Sequence, residues 1–244
     1  MKKGLIILFV LLFFCAALYA YQLSPLSATY DPTGAGSARV YTITNDSDSP
    51  IAIEINAYSR NIDLDGNEYT EDASAYFQIQ PRRMIIRPQS SQLVRVQYRG
   101  PQTVTREMAY RIISEQIPYS VGASEQESGQ MISFLFVYST SAYVRPSRVV
   151  ERVSSSAFIN EDGKLEIRIE NTGSVHQMLN SLSVTVSGDD GSSYTLTEEE
   201  MGNVNGQNLL AGSTLRIVLE QLPSPLAGAA SYSASVEYDY SYSA

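Results

Sequence analysis

Histidine and cysteine carry much of the nucleophilic and acid–base chemistry of proteins, and this chain of 244 residues holds one of each, His176 and Cys15. His176 lies in the turn-like run NTGSVHQML, without a GxSxG elbow or an HExxH pair. It reads as a structural or surface residue, and no enzymatic activity is expected. A second candidate is Asn61 to Asp72, where oxygen-bearing side chains fall at positions 1, 3, 5 and 12 of a twelve-residue calcium loop, with Gly66 at position 6. The flanks EINAYSR and SAYFQIQP alternate like strands, however, and Asp65-Gly66 alone is a strong hairpin signal. A hairpin turn is preferred, and neither metal nor cofactor is expected. Asn45-Asp46-Ser47 fits a glycosylation sequon and, better, an Asx-type turn. Arg145, Arg148 and Arg152 form a basic cluster. It is either a solvated linker or an anion site in a partly shielded cleft, where guanidinium groups bind carboxylates well.

The elements that must position these residues are strands. From Tyr21 onward, short runs rich in Val, Ile, Tyr and Thr are separated by the turn signals TNDSDSP, DLDGNEY, RGPQ, NEDGK, GDDGSS and LAGS. The only helix-compatible polar stretch, near 196–204, is short. This spacing predicts an all-β chain of two sandwich domains, residues 21–146 and 147–244, with SRVVERVSSS (147–156) as the linker. The halves echo one another: RVYTITNDSDSPIAIEI and KLEIRIENTGSVHQMLNSLSV both run strand, Asn, turn, strand. In MISFLFVYSTSAYVRP (131–146), Ile132, Phe134 and Phe136 alternate with Ser133, Leu135 and Val137. A strand apolar on both faces needs cover on both, either inside its own sandwich or from another protein. Both readings stay open on these residues alone.

Residues 1–20 read as a secretory signal peptide. Lys2 and Lys3 form the positive n-region, Leu5 to Ala17 the apolar stretch, and Leu18-Tyr19-Ala20 the cleavage site. Phe13 and Phe14 precede Cys15 where lipid attachment would call for small residues. Without the leader, 15 basic residues face 26 acidic ones, a net charge of −11. Such a chain is not expected to bind nucleic acid or anionic membrane surfaces, or to insert into a membrane. With no cysteine after the leader, its stability has to come from its cores.

Several segments, in order, resemble the PapD-like periplasmic pilus-assembly chaperones of the chaperone–usher pathway. SPLSATYDP (24–32) resembles the first strand, and TITNDSDSPIAIEI (42–55) the strand–Asn–turn–strand after it. QIQPRRMIIRPQSSQLVRVQYRG (78–100) resembles the Pro…Pro-x-x-x-Gln-x-Val-Arg stretch. REMAYRIISEQIP (106–118) resembles the Arg-Glu-x-x-Tyr-Arg…Ile-Pro segment, and ISFLFVYSTSAYVRP (132–146) the last strand of the first domain. LEIRIENTGSVHQMLNSLSV and NLLAGSTLRIVL resemble the second domain, in wording nearest the archaic branch. The resemblance covers nearly the whole chain after the leader.

It implies two immunoglobulin-like β-sandwich domains set at an angle, working in the periplasm without cofactor. The last strand of domain one would be lent to a pilus or fimbrial subunit by donor-strand complementation, with Ile132, Phe134 and Phe136 at the lent positions. The capped subunit would then pass to an outer-membrane usher. The family holds the subunit's terminal carboxylate with an arginine on the first strand and a lysine on the last. Ser27 and Ser141 occupy those places here, and serine supplies no charge. Either Arg145 and Arg148 substitute for that basic pair in the cleft, or the client differs from a normal pilin. Glu107 and Arg145 match charged residues at the domain junction, without an assignable third acidic partner. The competing expectation is an extracellular structural or adhesive β-sandwich protein that shares the fold without the client.

Overall fold

Between residues 51 and 62, Ile51, Ile53, Ile55 and Ala57 alternate with Glu54, Asn56, Tyr58 and Arg60. The chain answers with one long strand whose apolar side is buried. A computed structural model describes residues 21–119 and 135–239. The first sandwich contains β1 (Gln22–Ser24), β2 (Ser27–Tyr30), β3 (Ala38–Asn45), β4 (Ile51–Ile62), β5 (Glu68–Asp72), β6 (Phe77–Gln80), β7 (Arg83–Ile86), β8 (Ser90–Tyr98), β9 (Met108–Ile117) and β10 (Val137–Val144). One sheet runs β1-β3-β8-β6. The other runs β2-β10-β9-β4-β5, with β7 sharing the far edge of β4. Between them lies an aromatic core. Phe77 meets Tyr110 at 5.0 Å and Tyr30 at 5.8 Å, both edge-on, the arrangement ring quadrupoles favour.

The second sandwich contains β11 (Val153–Ile159), β12 (Leu165–Asn171), β13 (Gln177–Met178), β14 (Asn180–Gly188), β15 (Ser193–Thr195), β16 (Asn208–Leu209), β17 (Thr214–Leu219) and β18 (Tyr232–Asp239). Sheets β11-β12-β17 and β15-β14-β18 enclose Leu165, Ile167, Ile169, Leu179 and Val184, and β13 pairs with β16. The polar run near 196–204 yields a single turn, α1 (Glu198–Met201). Its Thr197 and Glu200 form a capping box. The linker expected over 147–156 is shorter than the sequence suggested. Val153 to Ser156 belong to β11, because Val153 pairs with Asn171 and Ser155 with Ile169. Serine-rich wording concealed strand residues that alternate between exposed and half-buried. No helix among the described residues is long and apolar enough to cross a membrane.

The echo between the halves has a physical basis in two buried asparagines. Asn45 Oδ1 accepts from Ser47 N at 3.1 Å, while Nδ2 donates to Ser49 O at 2.8 Å, Ile86 O at 3.2 Å and Arg87 O at 3.1 Å. Asn171 Oδ1 accepts from Gly173 N at 2.9 Å, while Nδ2 donates to Val175 O at 2.8 Å and Leu209 O at 3.0 Å. Each amide therefore closes the turn after its own strand and ties it to a distant segment. Only a short side chain with both a donor and an acceptor can do both. The Asn45 amide is consumed by this role, which leaves the sequon no free nitrogen.

Candidate binding cleft and open strand edge

Strand β10 has an uneven neighbourhood. On one side it pairs antiparallel with β9 from Val137↔Glu115 to Val144↔Met108. On the other, β2 pairs with it in parallel only over Ser141–Val144. Among the described residues, the edge of Val137–Thr140 has no strand partner. Unpaired strand edges are templates for another chain. Just before this edge, Phe136 packs half-buried against the first core and its carbonyl accepts from Gln116 N at 2.9 Å. Leu135 and Val137 point the other way and are 45% and 57% exposed. Ile132 and Phe134 lie outside the described residues.

The outer face of the same sheet carries a charged cluster. Ser27 and Ser141 are register partners across β2 and β10. Arg111 is the partner of Ser141 across β9 and β10, and its Nη1 donates to Ser141 Oγ at 2.8 Å. Next along the sheet, Arg60 of β4 donates from Nη1 to Tyr143 Oη at 2.9 Å. Both arginines turn toward Glu68 at the start of β5: Arg60 Nε lies 2.8 Å and Arg111 Nη2 2.5 Å from its Oε2, and Arg111 Nε 2.7 Å from its Oε1. Burial raises the Glu68 carboxyl, but hydrogen bonds and charge from Arg111 and Arg60 outweigh it and hold the group below the usual range. Two guanidiniums and one carboxylate give this cluster a net charge of +1.

The second sandwich closes the cleft at two places. At one, Glu107 is a carboxylate with a side chain 1% exposed. Arg145 Nε donates to its Oε2 at 2.7 Å, and His176 donates to its Oε1 from Nδ1 at 2.5 Å and from the backbone at 3.1 Å. The His176 ring also stacks on Tyr143, with centroids 4.2 Å apart, and Asn208 Nδ2 donates to Tyr143 Oη at 2.8 Å. At the other, the β4–β5 hairpin reaches β17. Arg216 N donates to Leu64 O at 2.8 Å, and its guanidinium forks onto Asp65 at 2.6 and 3.0 Å. Gly66, at φ +81°, makes the turn behind them.

The residues singled out from sequence are brought together in part. Arg145 meets Glu107, and the third member of that network is His176, a base where an acid was sought. His176 is thus a structural residue of the junction, not a surface one, with a side chain 8% exposed. Arg145 lines one cavity of about 290 Å³ with Ser27, Arg39, Tyr143 and His176. Arg148 is exposed on the connector, where its carbonyl accepts from Ser174 Oγ. The arginine that touches Ser141 is Arg111, which sequence reasoning left inside a motif without a role; Arg60 and Glu68 were missed as well. Their signal was weak: outward parity on a strand gives a side, not a neighbour. The oxygens of the calcium-like loop diverge. Asp63 binds the N–H groups of Asp65 and Asn67, Asp65 turns to Arg216, and Asp72 to Ser74.

Comparison with known proteins adds a relationship to this geometry. Residues 32–150 match the family model described as pili and flagellar-assembly chaperone, PapD N-terminal domain. Among curated proteins, none matches. Three solved structures share the fold. The CsuC–CsuE chaperone–tip adhesion subunit pre-assembly complex, from archaic chaperone–usher Csu pili of Acinetobacter baumannii, is 15% identical at a TM-score of 0.58. The match covers 84% of this chain and 89% of that one. The class 5 fimbriae chaperone CfaA is 13% identical at 0.57, covering 90% and 100%. The E. coli chaperone DraB is 16% identical at 0.53, covering 84% and 86%. At these identities the likeness is one of fold.

Proposed function

The chain belongs, through its first sandwich, to the PapD-like family of pilus-assembly chaperones, and from that membership we propose how it works. It caps a pilus or fimbrial subunit in the periplasm by donor-strand complementation and delivers it to an outer-membrane usher. The observation that carries this reading is the open edge of β10 beside a cationic cleft. Val137–Thr140 offer unpaired backbone groups on the edge away from β9, and Phe136 continues the apolar side of the first core toward that edge. Ile132, Phe134 and Phe136 are the lent side chains. Burying three such groups stabilises a complex by roughly 5–8 kcal/mol before ordering costs, at about 1.5–3 kcal/mol each. Backbone pairing along the strand sets direction and register. Binding energy of this kind needs neither ATP nor covalent chemistry.

The cleft supplies the anchor. With serine at positions 27 and 141, the charge comes from one strand further in, where Arg111 reaches Ser141 and Arg60 reaches Tyr143. A subunit strand running along β10 toward Ser141 brings its terminal carboxylate to this pair, and a guanidinium fork holds a carboxylate through two parallel bonds.

Co-expression with fimbrial subunits encoded beside this gene, followed by capture and mass spectrometry, tests the reading. Phe136→Asp places a charge where the subunit is apolar and is expected to weaken capture more than a hundred-fold, about 3 kcal/mol or more. The free protein loses less, because Phe136 is only half-buried there. Equal losses in a thermal melt and in capture would reduce Phe136 to ordinary core. Arg111→Ala is expected to weaken capture ten- to a hundred-fold, the worth of about 1.5–3 kcal/mol for a charged hydrogen bond, while Arg148→Ala changes it little. Deleting the subunit's last residue then makes Arg111→Ala silent, as a double-mutant cycle requires of a direct pair. A larger loss at Arg148 would move the anchor to the connector.

A further inference from the structure

The two arginines of the cleft are already engaged by a carboxylate of the same chain. Arg111 presents the Nε/Nη2 edge of its guanidinium, the edge that best matches a carboxylate in two parallel bonds, and Glu68 fills it at 2.7 and 2.5 Å. Arg60 adds a third bond to the same group at 2.8 Å. The remaining bonds, Arg111 Nη1 to Ser141 Oγ and Arg60 Nη1 to Tyr143 Oη, orient the guanidiniums without adding charge. The side chains of Arg60 and Arg111 are 10% and 17% exposed, that of Glu68 32%. The carboxylate is therefore the outermost member of the cluster and can swing into solvent by side-chain rotation alone. Its strand is held separately, because the hairpin is fixed to β17 through Leu64 and Asp65.

Building on the carboxylate-anchor reading above, we propose that Glu68 is a resident carboxylate. It fills the two-arginine receptor of the free protein, and an incoming terminal carboxylate binds by displacing it. The exchange conserves charge, since one carboxylate faces two guanidiniums before and after. Neither state then leaves the partly buried arginines uncompensated, which is the costly arrangement. The exchange also raises the threshold for binding: a strand lacking a terminal carboxylate gains nothing from the cleft and leaves Glu68 in place. Specificity of this kind comes from a competitor built into the site. The opposite role, in which Glu68 stays and holds the arginines for a ligand bound elsewhere, predicts an effect of opposite sign.

The test uses sodium propionate as the probe, titrated into the full-length mature protein and followed by the Nε–Hε NMR signals of Arg60 and Arg111. Removing the resident charge by Glu68→Gln is expected to tighten propionate binding at Arg111 about ten-fold or more, the worth of a charged hydrogen bond. Glu68→Ala is a second variant with the same expected direction, and circular dichroism checks that both retain the fold. Unchanged or weaker binding in the folded variants overturns the proposal, as does absence of binding in all three proteins. Subunit capture by the wild type separates this outcome from the chaperone reading. If propionate binds Glu68→Gln more tightly but no subunit is captured, the resident carboxylate stands and the chaperone reading falls. If subunits are captured but propionate binding is not tightened, the reverse holds.

Discussion

Glu107→Ala is expected to cost about 3–5 kcal/mol, the largest single loss of stability from any charged residue at the junction. The penalty arises from what is left behind. Arg145 loses its carboxylate, and the backbone N–H and Nδ1 of His176 lose their acceptor, in a site where Glu107 is 1% exposed. Removing one partner of a buried ion pair takes away the attraction that offset the other's desolvation, and removals of this kind cost about that much. Glu107→Gln keeps an acceptor for His176 but loses the charge, so its loss should be smaller. Acid should reproduce part of the effect in the wild type. Burial raises the Glu107 carboxyl, but hydrogen bonds from His176 and Arg145 outweigh it and leave it below the ordinary value of 4.5. A depressed folded pKa contributes stability above the unfolded value, and this contribution is lost as pH falls below 4.5 toward the folded one. Urea midpoints at pH 7 and pH 4 for wild type and Glu107→Gln check both statements. The part of the acid-induced drop that belongs to Glu107 should be missing in the variant, and an equal drop in both proteins would assign it to other carboxylates.

Asn45→Ala and Asn171→Ala are expected to cost about 2–4 kcal/mol each. The buried carbonyls that lose their donor are Ile86 O for Asn45 and Val175 O and Leu209 O for Asn171, at about 1–3 kcal/mol per group with partial relief from water. Ser49 O and Arg87 O keep donors from Ser47 Oγ and Ser90 Oγ, so the Asn171 variant, which strands two buried carbonyls against one, should lose more. They sit in different sandwiches and share no partner, so the double variant should show the sum to within about 0.5 kcal/mol. Thermal melts of the three variants test this. Asn→Asp at either site is a harsher probe, because it turns a donor toward carbonyl oxygens into a carboxylate.

What was legible in the sequence follows from which interactions are local. Alternation along 51–57 gives the buried side of β4, and Asp65-Gly66 and Asn45 give their turns, because a few neighbouring residues decide each. The Arg145–Glu107 contact was reachable only through the family resemblance, since the two are 38 residues apart. The Arg60–Glu68–Arg111 cluster was not reachable in either way. It depends on Tyr58 lying opposite Arg111 and Arg60 opposite Thr70, and a shift of one residue in either register would send these side chains to the other face. His176 escaped for a different reason. At the junction the family resemblance points to an acid, whereas a carboxylate already held by one arginine is equally well served by an N–H donor.

The two places where the second sandwich grips the first also bear on mechanics. The Glu107–His176 contact lies at the root of β9, and the Leu64–Arg216 contact lies at the tip of the β4–β5 hairpin. Closing the cleft about the connector would have to break a buried carboxylate network and a strand-type backbone bond together. Proteins that grip by hinge bending concentrate their motion in a few free residues between bodies. Here the bodies are cross-braced, so the cleft behaves as a jig of fixed width. Whatever docks against it supplies the movement, and the work of changing shape falls on the guest.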